Sequence, residues 1–230
     1  MPNMTSRTAL LVPILLFLSS ATAADQGKSF SVSGFGTLGL VHNTSDQVDI
    51  VRDLSQSEGV GYTRQTDFGV DSLLGLQINT SLSESTDAAV QVISRRAANG
   101  FDPELSWAYG RYVPNNLLQL RAGRLGFDAF MLADSRNIGY SYPWVRPPID
   151  FFGSLIVSYF DGADALLSQP LASGLLRAKF FAGVAREKIS TDSHDHFFSL
   201  NGSTLGGAHL EYQTPHWLYR VGYAELRFKN

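Results

Sequence analysis

The chain has no cysteine, no run of basic residues and, beyond its first two dozen positions, no apolar stretch long enough to cross a bilayer as a helix. Without cysteine there is no disulfide framework and no thiolate metal site. A thiol-free chain also suits an oxidising compartment, although that clue carries little weight alone. A formal net charge of −3 with no basic tract excludes a nucleic-acid-binding surface. Charge is scarce overall, at 17% of residues, against roughly 25% in an ordinary soluble domain. No glycine loop of the phosphate-cradling type occurs. What remains abundant is glycine, with 21 residues, and aromatic side chains, at 12%.

The N-terminus carries Arg7 as its only charge before Asp25. Ala9 to Leu18 is apolar, and Ala21-Thr22-Ala23 follows as a small-x-small site. That run is shorter than the ~20 residues a spanning helix needs. The pattern predicts a secretory signal peptide over residues 1–23, with cleavage after Ala23. A buried core helix is the competing reading, but the run has no polar face.

From residue 24 onward the sequence alternates with a period of two, in about nine segments. Leu74, Leu76, Ile78, Thr80 and Leu82 share one face of their segment, and Gln77, Asn79 and Ser81 the other. Val90 and Val92 oppose Gln91 and Arg95, and Leu118, Leu120 and Ala122 oppose Gln119 and Arg121. Leu176, Ala178, Phe180, Ala182 and Val184 oppose Arg177 and Lys179, and Leu210 and Tyr212 oppose His209 and Glu211. The connections alternate in length: 44–65, 96–103, 126–153 and 187–202 are long or medium, while 83–87, 114–116, 168–173 and 213–216 are short. Short turns at one end and long loops at the other are the pattern of an outer-membrane barrel.

Energetics orient the faces. A Lys or Arg facing lipid at mid-bilayer costs about 2–4 kcal/mol. Arg177, Lys179 and Arg111 therefore point inward, the last beside Trp107 and Tyr109, with Ala108, Gly110 and Tyr112 outside. A soluble β-sandwich would instead fill its interior with Val, Ile and Leu. Two segments fit poorly. Asp161 and Asp164 have opposite parity, which places one of them at a bulge or near an interface. Arg220 shares a face with Gly222 and Ala224 while Glu225 and Arg227 fall on the other, which a bulge near Tyr223 would repair.

The connection 126–153 is the third outward loop and the most informative segment. It holds seven aromatic residues, from Phe127 to Phe152, and three restricting prolines, Pro143, Pro147 and Pro148. A loop folded into a barrel needs such residues to pack against the wall, and the prolines keep it from pairing as a strand. The stretch Arg121-Ala122-Gly123-Arg124, the run from Asp134-Ser135-Arg136-Asn137 to Trp144-Val145-Arg146-Pro147-Pro148, and Ser106-Trp107-Ala108-Tyr109-Gly110-Arg111-Tyr112 together resemble the porin superfamily of Gram-negative outer membranes. The resemblance spans roughly residues 30 to 228. It implies a sixteen-stranded barrel narrowed by its third loop, assembled as a homotrimer in outer-membrane lipid and passing small hydrophilic solutes and ions by diffusion.

The expected fold is thus an all-β antiparallel transmembrane β-barrel, partial over residues 24–230, with an inward-folded third loop at 126–153. Candidate wall cations are Arg95, Arg111, Arg121, Arg124, Arg177 and Lys179. Candidate loop charges are Asp128, Asp134 and Asp150, with Arg136 and Arg146. Opposed signs across a constriction would bias ion passage, with the arginine excess favouring anions; the same residues could instead hold the loop to the wall. No cofactor, metal or catalytic residue is expected. His194-Asp195-His196 reads as a solvated loop rather than a metal or protease site, and Asp46, Asp49 and Asp53 lack the spacing of a calcium loop. A non-channel barrel serving adhesion or structure, and an outer-membrane hydrolase, are the rival classes. The ninth segment, ending near Asn230 without a terminal aromatic, leads to the expectation of a truncated chain.

Overall fold

The computed structural model describes residues 14–15, 21–25, 28–97, 100–144, 146–190 and 197–229. The expected leader and the His194–His196 run fall largely or wholly outside them. One 11-stranded antiparallel sheet dominates. Nine of its strands are nine residues or longer: β1 (Lys28–Leu38), β2 (Leu73–Ser81), β3 (Thr86–Arg95), β4 (Pro103–Asn115), β5 (Leu118–Gly126), β6 (Tyr159–Leu171), β7 (Gly174–Val184), β8 (Thr204–Gln213) and β9 (Leu218–Arg227). Each lies beside its neighbours in sequence. Ile14–Leu15 and Ala21–Asp25 pair with β1. The second edge of β9 has no partner among the described residues, so the sheet is open.

The connections alternate as expected. At one end lie tight turns at 82–85, 116–117, 172–173 and 214–217. Local side chains shape them: the Asn115 side-chain oxygen accepts from the Leu117 and Leu118 amides at 2.9 and 3.0 Å, and the Thr214 hydroxyl accepts from the Trp217 amide at 3.0 Å. At the other end lie the connections 39–72, 96–102, 127–158 and 185–203. The sixth strand extends into the stretch 168–173 expected as a short turn. It starts at Tyr159 and runs through Pro170 to Leu171. Proline is tolerated there because β5 pairs with β6 only as far as Leu167, so the missing amide breaks no ladder with it.

The two faces differ as the alternation predicts. Leu74 is 60% exposed and Phe180 53%, while Gln91 and Lys179 are 1% and 5% exposed on the opposite face. Real bulges occur within the β3–β4 pair at Gln91/Val92 and within the β4–β5 pair between Tyr112 and Asn115. The bulge expected near Tyr223 is absent, since β8 and β9 pair in unbroken register from Thr204–Arg227 to Gln213–Leu218. Glu225 and Arg227 instead sit at the loop end of β9 and bond each other at 2.8 Å. Asp161 likewise lies near the loop end of β6, in unbroken register with Arg124 of β5.

Apolar packing gathers at the loop end. Leu125, Phe127, Phe160, Phe181, Leu200 and Leu205 belong to one cluster, with Phe127 edge-on to Phe160 and Phe181. A second unites Phe35, Leu73 and Ile93 of β1–β3 with Ile138 of the 127–158 connection. This connection therefore leaves β5, crosses the charged face to reach β1, and returns to β6. Its aromatics divide: Phe127 and Phe152 are buried, whereas Tyr140, Trp144 and Phe151 stay exposed.

Candidate functional site

The site is built where the 127–158 connection meets β5–β9. Strand parity brings Arg121, Asp164, Lys179, His209 and Arg220 onto one face, in neighbouring strands. Arg121 grips Asp164 through two bonds of 3.0 and 2.5 Å. The Lys179 ammonium lies 3.2 Å from the same carboxylate and 2.9 Å from Asp128 of the crossing connection. Arg220 holds Asp128 from the far side, donating to its backbone oxygen at 2.6 Å and its carboxylate at 3.2 Å. Two cations thus pin one loop carboxylate, and its second oxygen, Oδ1, is buried without a partner among the described residues. These are charge-assisted bonds in a partly desolvated setting, where they are stronger than at an open surface.

The cluster grades from closed to open. The Asp164 side chain is 1% exposed, and that of Arg177, bonded to Glu211 at 2.9 Å, is 34% exposed. A cavity of about 440 Å³ opens between them, lined by Arg121, Asp128, Asp134, Arg177, Lys179 and Arg220 among others. Asp134 sits at its wall with no ion pair among the described residues. Burial, reinforced by the nearby Asp128 charge, raises its carboxyl above the usual range.

The remaining sequence-derived candidates scatter. Arg111 pairs with Asp87 on the adjacent strand, toward the turn end. Arg124 pairs with Asp161, which Arg186 also reaches. Between Arg121 and Arg124, Gly123 takes φ +129°, where a Cβ would fall 2.3 Å from the Ala108 carbonyl oxygen; only glycine fits. Asp150 is exposed and joins no ion pair among the described residues.

Arg95, Arg136 and Arg146 serve a second cluster that sequence reasoning missed. Arg95 bonds Asp53 at 2.9 Å and the Ser55 hydroxyl at 2.8 Å, both on the 39–72 connection. Arg146 bonds Asp71 of the same connection at 2.5 Å. Arg136 donates to the Ser158 hydroxyl, and the Ser158 amide donates to Glu187 at 2.6 Å. Arg52 donates to Asn137. Burial lowers the Arg52 guanidinium from its usual value; the Asp53 carboxyl is held well below its own because Arg95 and Arg52 outweigh its burial. Nothing in the spacing of Arg52, Asp53 or Asp71 marks them, because their partners lie 42 to 85 residues away.

Among the described residues no group of histidines and carboxylates could hold a metal ion. No protein-family model matches the chain, and no curated protein matches it either.

Proposed function

We propose that this chain forms nine strands and the constriction loop of an outer-membrane porin, a water-filled channel for passive diffusion of small hydrophilic solutes and ions. The observation that carries the reading is the inverted sheet. Its apolar face is exposed, with Leu74, Leu76, Phe180, Leu210 and Val221 all above two-fifths exposure, while its charged face is covered by the 127–158 connection. A sheet with this polarity suits lipid outside and water inside. A soluble sandwich needs the reverse.

Solutes would pass the cavity beside Arg121 and Arg177, where two guanidiniums retain donors beyond their wall partners. Lys179 and Arg220 hold the loop through Asp128. The channel therefore favours anions over cations of equal size. An open edge on β9 leaves backbone groups unpaired in lipid, at several kcal/mol each. Closure of the barrel requires that this edge be paired.

Planar-bilayer recording of the protein with its barrel closed at the β9 edge tests the reading. Stepwise ionic current with a reversal potential on the anion-selective side is expected. Absence of any current from a folded, membrane-inserted sample would overturn it.

A further inference from the structure

The 39–72 connection contains a lobe with its own stem. Ile50 and Val60 exchange backbone bonds of 2.9 and 3.1 Å, closing residues 51–59 into a compact excursion. Several of its polar side chains are buried, unlike those of a freely solvated loop. Arg52, Asp53 and Gln56 are 8%, 7% and 6% exposed. Asp53 and Ser55 reach the wall at Arg95, on the charged face of β3. Arg52 reaches Asn137, and the Leu54 amide donates to the Gly153 carbonyl at 3.2 Å. The lobe is thus wedged between the wall and the returning limb of the 127–158 connection.

We propose that residues 51–59 are a second filter, stacked on the first and lying toward the loop-side mouth. The inference rests on the porin reading and adds a second size-limiting element to it. The contact is dry. The void bounded by Arg52, Asp53, Arg136, Pro147 and Phe152 is about 10 Å³, too small for more than a single water. No solute passes between lobe and limb, so the lobe subtracts its full cross-section from the mouth. The cations around it are already engaged: Arg95 bonds Asp53, Arg52 reaches Asn137 and Arg136 the Ser158 hydroxyl. The lobe therefore sorts solutes by size, and the Arg121–Arg177 cavity sorts them by charge.

The test is excision of residues 51–59, joining Ile50 to Val60 through two glycines so that the stem survives. Heat-modifiable gel mobility checks the fold. Single-channel conductance is expected to rise by roughly half again or more, and larger polyethylene glycols should enter the channel. If the excised protein fails to fold, the paired change Asp53→Asn with Arg95→Gln releases the lobe at its wall contact, and the same rise is expected. Unchanged conductance and polymer cut-off in a folded variant would overturn the second filter. Asp128→Asn is the control for the first filter. If it alters current while lobe removal does not, the porin reading stands and this inference falls. If no protein in the series conducts, both fall together.

Discussion

The two charged clusters use the same chemistry in opposite surroundings. Around Asp53, Arg95 and Arg136 every side chain is buried to a similar degree, and the void is about 10 Å³. Around Asp128, Lys179 and Arg177 exposure climbs from nearly nothing to a third, beside a cavity of about 440 Å³. Ion pairs alone do not distinguish an anchor from a passage. Access to water does. A sealed knot spends its charges on each other, whereas an open cluster keeps guanidinium donors turned toward whatever enters.

The comparison breaks first at Arg95. Arg95→Ala strands Asp53 beside a buried Arg52, and removing one partner of a buried pair costs about 3–5 kcal/mol. Urea unfolding in detergent should show a loss of that order; a loss below about 1 kcal/mol, as for a surface pair, would mean the knot is not sealed.

The next lever is pH. Burial pushes the Glu187 carboxyl up to about 7, with the Glu104 charge adding to it against the hydrogen bonds from Ser158. Because this lies above the ordinary 4.5, the protonated group's contribution is complete below about 4.5 and is lost as pH rises through about 7. Asp53, held low, keeps its contribution throughout that window. The urea midpoint should therefore fall between pH 5 and pH 8, and Glu187→Gln should flatten the profile. A midpoint that climbs over this range contradicts the assignment.

The smallest structural effect is expected at Arg177. Its pair with Glu211 is a third exposed, so Arg177→Gln should cost no more than about 1 kcal/mol. Its effect on selectivity should be larger: the reversal potential in a salt gradient moves toward cations. An unmoved potential would make Arg177 a wall strut like Arg111.

Much of the fold was legible because side-chain alternation is a local signal. Val90 against Gln91 and Phe180 against Lys179 declare their faces within two residues. The crossing connection was legible from its aromatics and prolines. The knot was not. Asp53 and Arg95 meet through a folded-back lobe, and no local pattern encodes which distant cation a loop carboxylate will find. The bulge expected near Tyr223 failed for a related reason: Glu225 and Arg227 pair with each other at the loop end of β9, which parity alone does not show. At Asp161 and Asp164 the parity conflict was real, and cross-strand arginines of matching parity resolve it without any distortion.

Because every long strand lies beside its neighbour in the chain, the hairpins can zip together one after another with little loop-closure entropy. The crossing connection is different. Lys179 can hold Asp128 once β7 is in place, but the bond to Arg220 joins residues 92 apart, so that second hold waits for β9. The sheet can then be assembled progressively, and the hold on the crossing connection is completed only when the ninth strand brings Arg220 to Asp128.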